Sequence, residues 1–249
     1  MQTRQQAIVQ ALKFSTLLGA CMIAPIALLA LFPSPPGIYP LWGWANALGY
    51  LALAITLLLF VYKGRARAFP AFSGRFFANL HRDLGYIVIL LLLGHVGLLL
   101  LAEPLLLEHI EPTAPLHMLA GLIALILLLL LFISSIPALR RRLWRNYYLF
   151  RHVHAVVAVM VVALVLYHVL LSGFYLNSHW KTGLLATVTV ATVALYATGQ
   201  HPVMPSTFLR VRNSSRYSHV ISYGSTLVVV LFSLALVLLN NLEWLAASD

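Results

Sequence analysis

The sequence predicts an all-α fold: a polytopic membrane helix bundle of about seven transmembrane helices, N-terminus cytoplasmic and C-terminus external. Three observations carry this. Of 249 residues, 61% are hydrophobic and only 9% are charged, against roughly 45–50% and about 25% in soluble domains. The apolar residues gather in runs near the ~20 residues that cross a bilayer. The charges sort by connecting loop. Together these exclude an ordinary cytosolic globule and a disordered chain. The net charge of +10 therefore reports orientation and not a nucleic-acid surface. One cysteine, Cys21, excludes intramolecular disulfides and cysteine-ligated zinc or iron–sulfur centres built on this chain alone.

The runs fall at 14–32, 41–62, 84–102, 116–137, 153–172, 182–199 and 220–240. Pro33, Pro35 and Pro36 end the first. Pro104, Pro112 and Pro115 punctuate the loop after the third. Pro137 stands at the end of the fourth, and Pro202 and Pro205 follow the sixth. Fifteen of the sixteen Lys and Arg lie before the first run or between runs two and three, four and five, or six and seven; Lys181 alone lies on the other side. The acids invert this: Glu103, Glu108, Glu111, Glu243 and Asp249 lie on that other side, and Asp83 alone lies on the basic side. Basic residues mark the cytoplasmic side. The first run exceeds the about 7–15 residues of a signal h-region and lacks a small-x-small cleavage site before Pro33, so it reads as an anchor. The chain divides into an anchor and external loop (1–40), a core (41–199), and a basic loop with a last helix (200–249).

The chain has ten histidines, and an ionisable residue inside a span is a functional candidate because its burial is costly. His81 and His95 are 14 residues apart, as are His154 and His168. Fourteen residues are close to four helical turns, so each pair shares one helix face, about 21 Å apart along the axis. The two helices run the same way. His81 and His154 then lie at one depth near the cytoplasm, and His95 and His168 at a second depth toward the outside. Two helices offering imidazoles at two matched depths suit two stacked b-type haems, each iron taking one ligand from each helix. A lone intramembrane histidine is more often a hydrogen-bonded polar group; the doubled spacing argues otherwise. Zinc and di-iron sites bring their ligands to one point, whereas these four make two separated pairs.

The stretch L-H-R-D-L-G-Y-I-V-I-L-L-L-L-G-H (80–95) resembles the first haem helix of the ferric reductase-like transmembrane family, which includes NADPH oxidases, metalloreductases and the haem subunit of the bacterial methionine sulfoxide reductase system. I-S-S-I-P-A-L-R-R-R-L-W-R-N-Y-Y-L-F-R-H-V-H (133–154) is similar to that family's fourth-to-fifth helix junction. There the pattern aromatic-Arg-x-x-His makes His154, not His152, the matching ligand. The resemblance covers roughly 41–199. It implies an oxidoreductase component in a bacterial inner membrane, moving electrons from a cytoplasmic flavin through the inner and then the outer haem to an external acceptor. The segment 200–219 has no G-x-G-x-x-G, so the FAD or FMN is expected on a partner flavoprotein.

Most loop arginines read as topology and lipid-headgroup residues. Arg82 and Arg151 flank inner ligands and are the candidates for pairing with a haem propionate, since Arg binds carboxylates bidentately. Outside, His109, His117 and His179 accompany Glu103, Glu108 and Glu111; this set reads as a solvated loop before it reads as a ferric- or cupric-ion site. His152, His201 and His219 sit at the cytoplasmic boundary, with His152 the reserve ligand. The five tryptophans lie near span ends, as an interfacial belt. Gly85, Gly94, Gly97 and Gly121 permit close approach of a helix or haem edge.

Two rival readings stay open. In one, the chain is the membrane-anchor cytochrome b of a larger complex, exchanging electrons with quinone or a periplasmic subunit. In the other it is a haem-free scaffold or transporter, against which stands the absence of any inverted-repeat pattern.

Overall fold

A computed structural model describes residues 4–31, 40–63, 72–198 and 215–242. The prolines at 33, 35, 36, 202 and 205, the basic residues Arg65, Arg67, Arg210 and Arg212, His201, Glu243, Trp244 and Asp249 lie outside the described residues. Among the described residues the chain is helical: α1 (Arg4–Leu31), α2 (Pro40–Val61), α3 (Gly74–Ala102), a 3₁₀ turn (Pro104–Ile110), α4 (Leu116–Ser135), α5 (Pro137–Leu143), α6 (Tyr147–Ser172), α7 (His179–Ala197) and α8 (Ser215–Asn240). Seven of these are long and apolar enough to span a membrane, as the apolar runs predict.

The boundaries differ where charge masks helix. The third run is expected from residue 84, yet α3 begins at Gly74, where Ser73 accepts the Phe76 backbone N–H through Oγ at 3.2 Å. The added turns carry Arg75, His81, Arg82 and Asp83, which lower their hydropathy. They also carry Phe76, Phe77 and Leu80, all fully buried, and this stripe at helical spacing fixes the helix against the core. Phe76 and Phe77 join Phe14, Tyr62 and Phe72 in an aromatic cluster; Tyr62 stacks on Phe77 at 5.7 Å and Phe14 meets Tyr62 edge-on at 5.5 Å. The fourth run is expected to 137 but α4 stops at Ser135. Ile136 is extended (φ −58°, ψ 125°) and Pro137 opens α5. A residue before proline is pushed out of the helical region, and proline suits a first helical position. Asn146 caps α6, its Oδ1 accepting from Tyr148 N at 2.8 Å. Gly173 ends α6 in the left-handed region at φ 69°, where glycine is favoured.

Two helix pairs form the centre. α2 packs along α3, and α4 packs along α6; α3 and α6 do not pack backbone to backbone. α1 and α8 lie together behind α2 and α3. Both helices send apolar residues into the core, and serines are buried beside them, with Ser15 Oγ 2.9 Å from Ser225 Oγ and Ser218, Ser222 and Ser233 fully enclosed. By contrast α4, α6 and α7 turn Leu130, Val156, Met160 and Val190 outward, as a lipid-facing surface requires. The end of α2, the starts of α3 and α6 and the exposed arginines of α5 make one basic end of the bundle.

Candidate functional site

The pairs α2/α3 and α4/α6 leave a seam into which α3 sends His81 and His95, and α6 sends His154 and His168. At the basic end the rings of His81 and His154 have centroids 6.3 Å apart and planes 53° apart. Two imidazoles in line on opposite sides of one metal through Nε2, at the roughly 2.0–2.1 Å of a metal–imidazole bond, would have ring centres about 6.4 Å apart. The separation therefore fits a shared metal between the two rings.

The donor chemistry also fits. His81 Nδ1 bonds the Tyr62 carbonyl at 2.9 Å. His154 Nδ1 lies 3.4 Å from Ser135 Oγ. At the far end His95 Nδ1 bonds the Ala45 carbonyl at 2.8 Å, and His168 Nδ1 the His117 carbonyl at 2.9 Å. An Nδ1–H donated to a carbonyl fixes the tautomer that leaves Nε2 to bind a metal. His95 is thus held by α2 and His81 by the residue just past its end, while His154 and His168 are held by α4. Tyr62 is itself fixed by the aromatic cluster, so the cluster's packing reaches His81 through one carbonyl.

His95 and His168 line one cavity of ≈ 260 Å³, together with Gly49, Tyr50, Gly121 and Phe174. Two of the lining residues, Tyr50 and Phe174, make aromatic contacts outside it. Tyr50 meets Tyr175 edge-on at 6.0 Å, and Trp42 meets Phe174 at 5.2 Å. Burial pushes the Tyr175 phenol up to about 12.

The other sequence candidates separate. His152 is exposed and its Nδ1 bonds its own helix at Tyr148 O, 2.8 Å away; His154, not His152, reaches His81. Arg82 and Arg151 are both exposed at the basic end. Arg82 Nε lies 3.7 Å from Asp83 Oδ1. The external His and Glu set does not converge: among the described residues no three His, Cys, Asp or Glu side chains form a metal-sized group. The His109 side chain lies outside the described residues. His179 is exposed, and His117 turns to His168, ring centroids 6.5 Å apart.

Three features escape the sequence. Asp83, seen only as a stray acid, is 2% exposed and receives His219 Nδ1 at 2.7 Å. The carbonyls of Ala45, Tyr62 and His117 have no side-chain signature at all. Gly49 lies against a histidine ring, which a glycine count cannot reveal.

Seven spanning-length helices with imidazoles brought together from two of them define a polytopic membrane protein with paired histidine sites. Residues 48–165 match the family model described as ferric reductase like transmembrane component, so the resemblance read from the histidine stretches holds. The match contains His81, His95 and His154 and ends three residues before His168. It points to transmembrane redox chemistry and electron transfer. Comparison with curated proteins and with solved structures gave no match.

Proposed function

We propose that this protein is a di-haem b-type cytochrome that moves electrons one at a time across the membrane, as a component of an oxidoreductase. The observation that carries the reading is the His81–His154 pair. Two helices that do not pack together present rings 6.3 Å apart, with Nδ1 of His81 already committed to a carbonyl.

His81 and His154 would hold one haem, and His95 and His168 the other. A bound haem supplies an iron that accepts and releases single electrons within an apolar environment. The protein's own part is fourfold. Nε2 of each histidine is the ligand atom. The Nδ1 contacts orient the rings and raise their basicity. Apolar side chains such as Leu92, Leu125 and Val165 around the far cavity keep water out. Arg82 and Arg151 are the exposed cations nearest the basic-end pair in sequence, suited to haem propionates.

Sidedness follows from charge. The basic end is the cytoplasmic one by the positive-inside rule, so electrons enter near His81 and His154 and leave near His95 and His168. Arg141, Arg142 and Arg145 form an exposed basic surface beside the entry point, with the half-buried Arg140 lying over the Tyr147 and Phe150 rings. It suits an acidic flavoprotein carrying FAD or FMN, steered in electrostatically.

The test is haem per polypeptide in the purified protein, by absorbance before and after reduction. About two b-type haems per chain support the proposal. One haem restricts it to a single pair. None, after haem-supplemented expression, overturns it and favours a haem-free scaffold. Reduction of the haems by quinol in place of a flavoprotein would move the protein to the anchor-cytochrome class.

A further inference from the structure

The two far-end histidines are seated by the same device on two different helices. His95 donates Nδ1–H to the Ala45 carbonyl at 2.8 Å. Four residues on is Gly49, whose N–H normally uses that carbonyl in an α-helix. A Cβ built on Gly49 would lie 2.9 Å from His95 Nδ1 and 3.0 Å from Cε1. Across the cavity, His168 donates Nδ1–H to the His117 carbonyl at 2.9 Å, and four residues on is Gly121. A Cβ there would lie 2.8 Å from His168 Nδ1, 3.0 Å from Cγ and 3.1 Å from Cε1. Each imidazole enters an acceptor carbonyl from the side, over the bare Cα of the residue one turn later.

The usual reasons for a helical glycine do not apply at these two positions. Both lie inside regular helix, and the positive-φ glycine of the described residues is Gly173. Close approach of helix backbones is not what a side chain would meet: the atoms nearest the built Cβ are ring atoms of histidine. Elsewhere the pattern is absent. A Cβ on Gly85 or Gly97 meets nothing within 4 Å, and one on Gly94 meets the tip of Leu48. Glycine weakens a helix interior relative to alanine, yet it stands here twice, each time under an imidazole.

We propose that Gly49 and Gly121 are positioning residues for the far-end haem: their missing side chains let His95 and His168 reach the carbonyls that fix ring plane and tautomer. The inference rests on the di-haem reading. Alanine at either position would place a methyl inside contact distance of the ring and push Nδ1 off its carbonyl. An imidazole without that hydrogen bond is a weaker, less oriented ligand. The near pair has no such seat. His81 uses the carbonyl of Tyr62, just past the end of α2, and His154 uses the Ser135 hydroxyl, so it should not respond.

The experiment compares full-length Gly49→Ala and Gly121→Ala with wild type and with Gly85→Ala and Gly97→Ala. Haem per chain is counted, and each haem's EPR g-values and midpoint potential are recorded. In the two seat variants one haem should change its g-values and potential, or be lost so that the count falls from two towards one. The other haem should keep its wild-type signals. Gly85→Ala and Gly97→Ala should match wild type. Wild-type spectra in both seat variants overturn the proposal, as does a change confined to the haem that His81→Ala removes. Where the seat variants fail to accumulate, ENDOR on the wild-type protein decides: exchangeable Nδ1 protons in hydrogen bonds on both far-end imidazoles support the seat, and non-bonded ones overturn it. A wild-type protein with no haem fails earlier, at the di-haem reading, and takes this inference with it.

Discussion

His219 Nδ1 lies 2.7 Å from Asp83 Oδ2, and this contact ties the last span to the helix that carries His81 and His95. Asp83 is buried, so its carboxylate needs partners. His219 supplies one, and Ser222, one turn further along α8, lies 3.3 Å from the same oxygen. Asp83→Ala should therefore loosen α8 from α3. His219 is 48% exposed at its side chain, so the loss falls below that of a fully buried pair: about 1–3 kcal/mol. His219→Ala should cost less, about 1 kcal/mol. A double-mutant cycle by denaturant unfolding in detergent checks this. Additive single effects would show that the two residues act independently.

The choice between neighbouring histidines gives a sharper test of the near pair. His154 faces His81, whereas His152 is exposed and bonded within its own helix. His154→Ala and His81→Ala should each remove the same haem, leaving about half the reduced b-type absorbance. His152→Ala should leave both haems in place. Loss of haem in His152→Ala with retention in His154→Ala would reverse the assignment.

What could be read in advance follows from what sequence periodicity encodes. The spans were legible because a bilayer demands long apolar runs, and the histidine pairs because 14 residues complete nearly four turns. The start of α3 was not: residues 74–83 carry charge on one face and Phe76, Phe77 and Leu80 on the other, and a hydropathy threshold registers only the charge. α4 ends two residues before the apolar run does because Pro137 acts on the residue before it. The Asp83–His219 contact joins residues far apart in the chain, through helices whose packing no local pattern states. Ala45, Tyr62 and His117 act through backbone carbonyls, which every residue has. Gly121 reads from the sequence as a place of close approach, but only the structure supplies the ring that approaches it.

Tyr175 gives a pH dependence with a definite sign. Burial lifts its phenol from an ordinary value of 10.0 to about 12. The folded state therefore favours the neutral phenol. Stability from this group is fully present below the unfolded value near 10 and is lost as pH rises toward 12. Tyrosinate absorbance above pH 10 should lose one late-ionising tyrosine in Tyr175→Phe relative to wild type. Unfolding midpoints of wild type and Tyr175→Phe should diverge only above about pH 10, with the variant the less sensitive. Equal decline of both proteins across that window would mean that Tyr175 is not the group responsible.

His117 separates what a side chain does from what a backbone does. Its carbonyl accepts from His168 Nδ1, while its ring lies beside the His168 ring at 6.5 Å. His117→Ala removes the ring and keeps the carbonyl. The His168 contact should survive, so haem content should equal wild type, in contrast to the loss expected for His168→Ala. Removing the ring opens space beside His168. Faster oxidation of the reduced protein by an external acceptor such as ferricyanide should follow in His117→Ala, with unchanged haem content. Haem loss in this variant would show that the imidazole of His117, and not its carbonyl, holds the far-end site together.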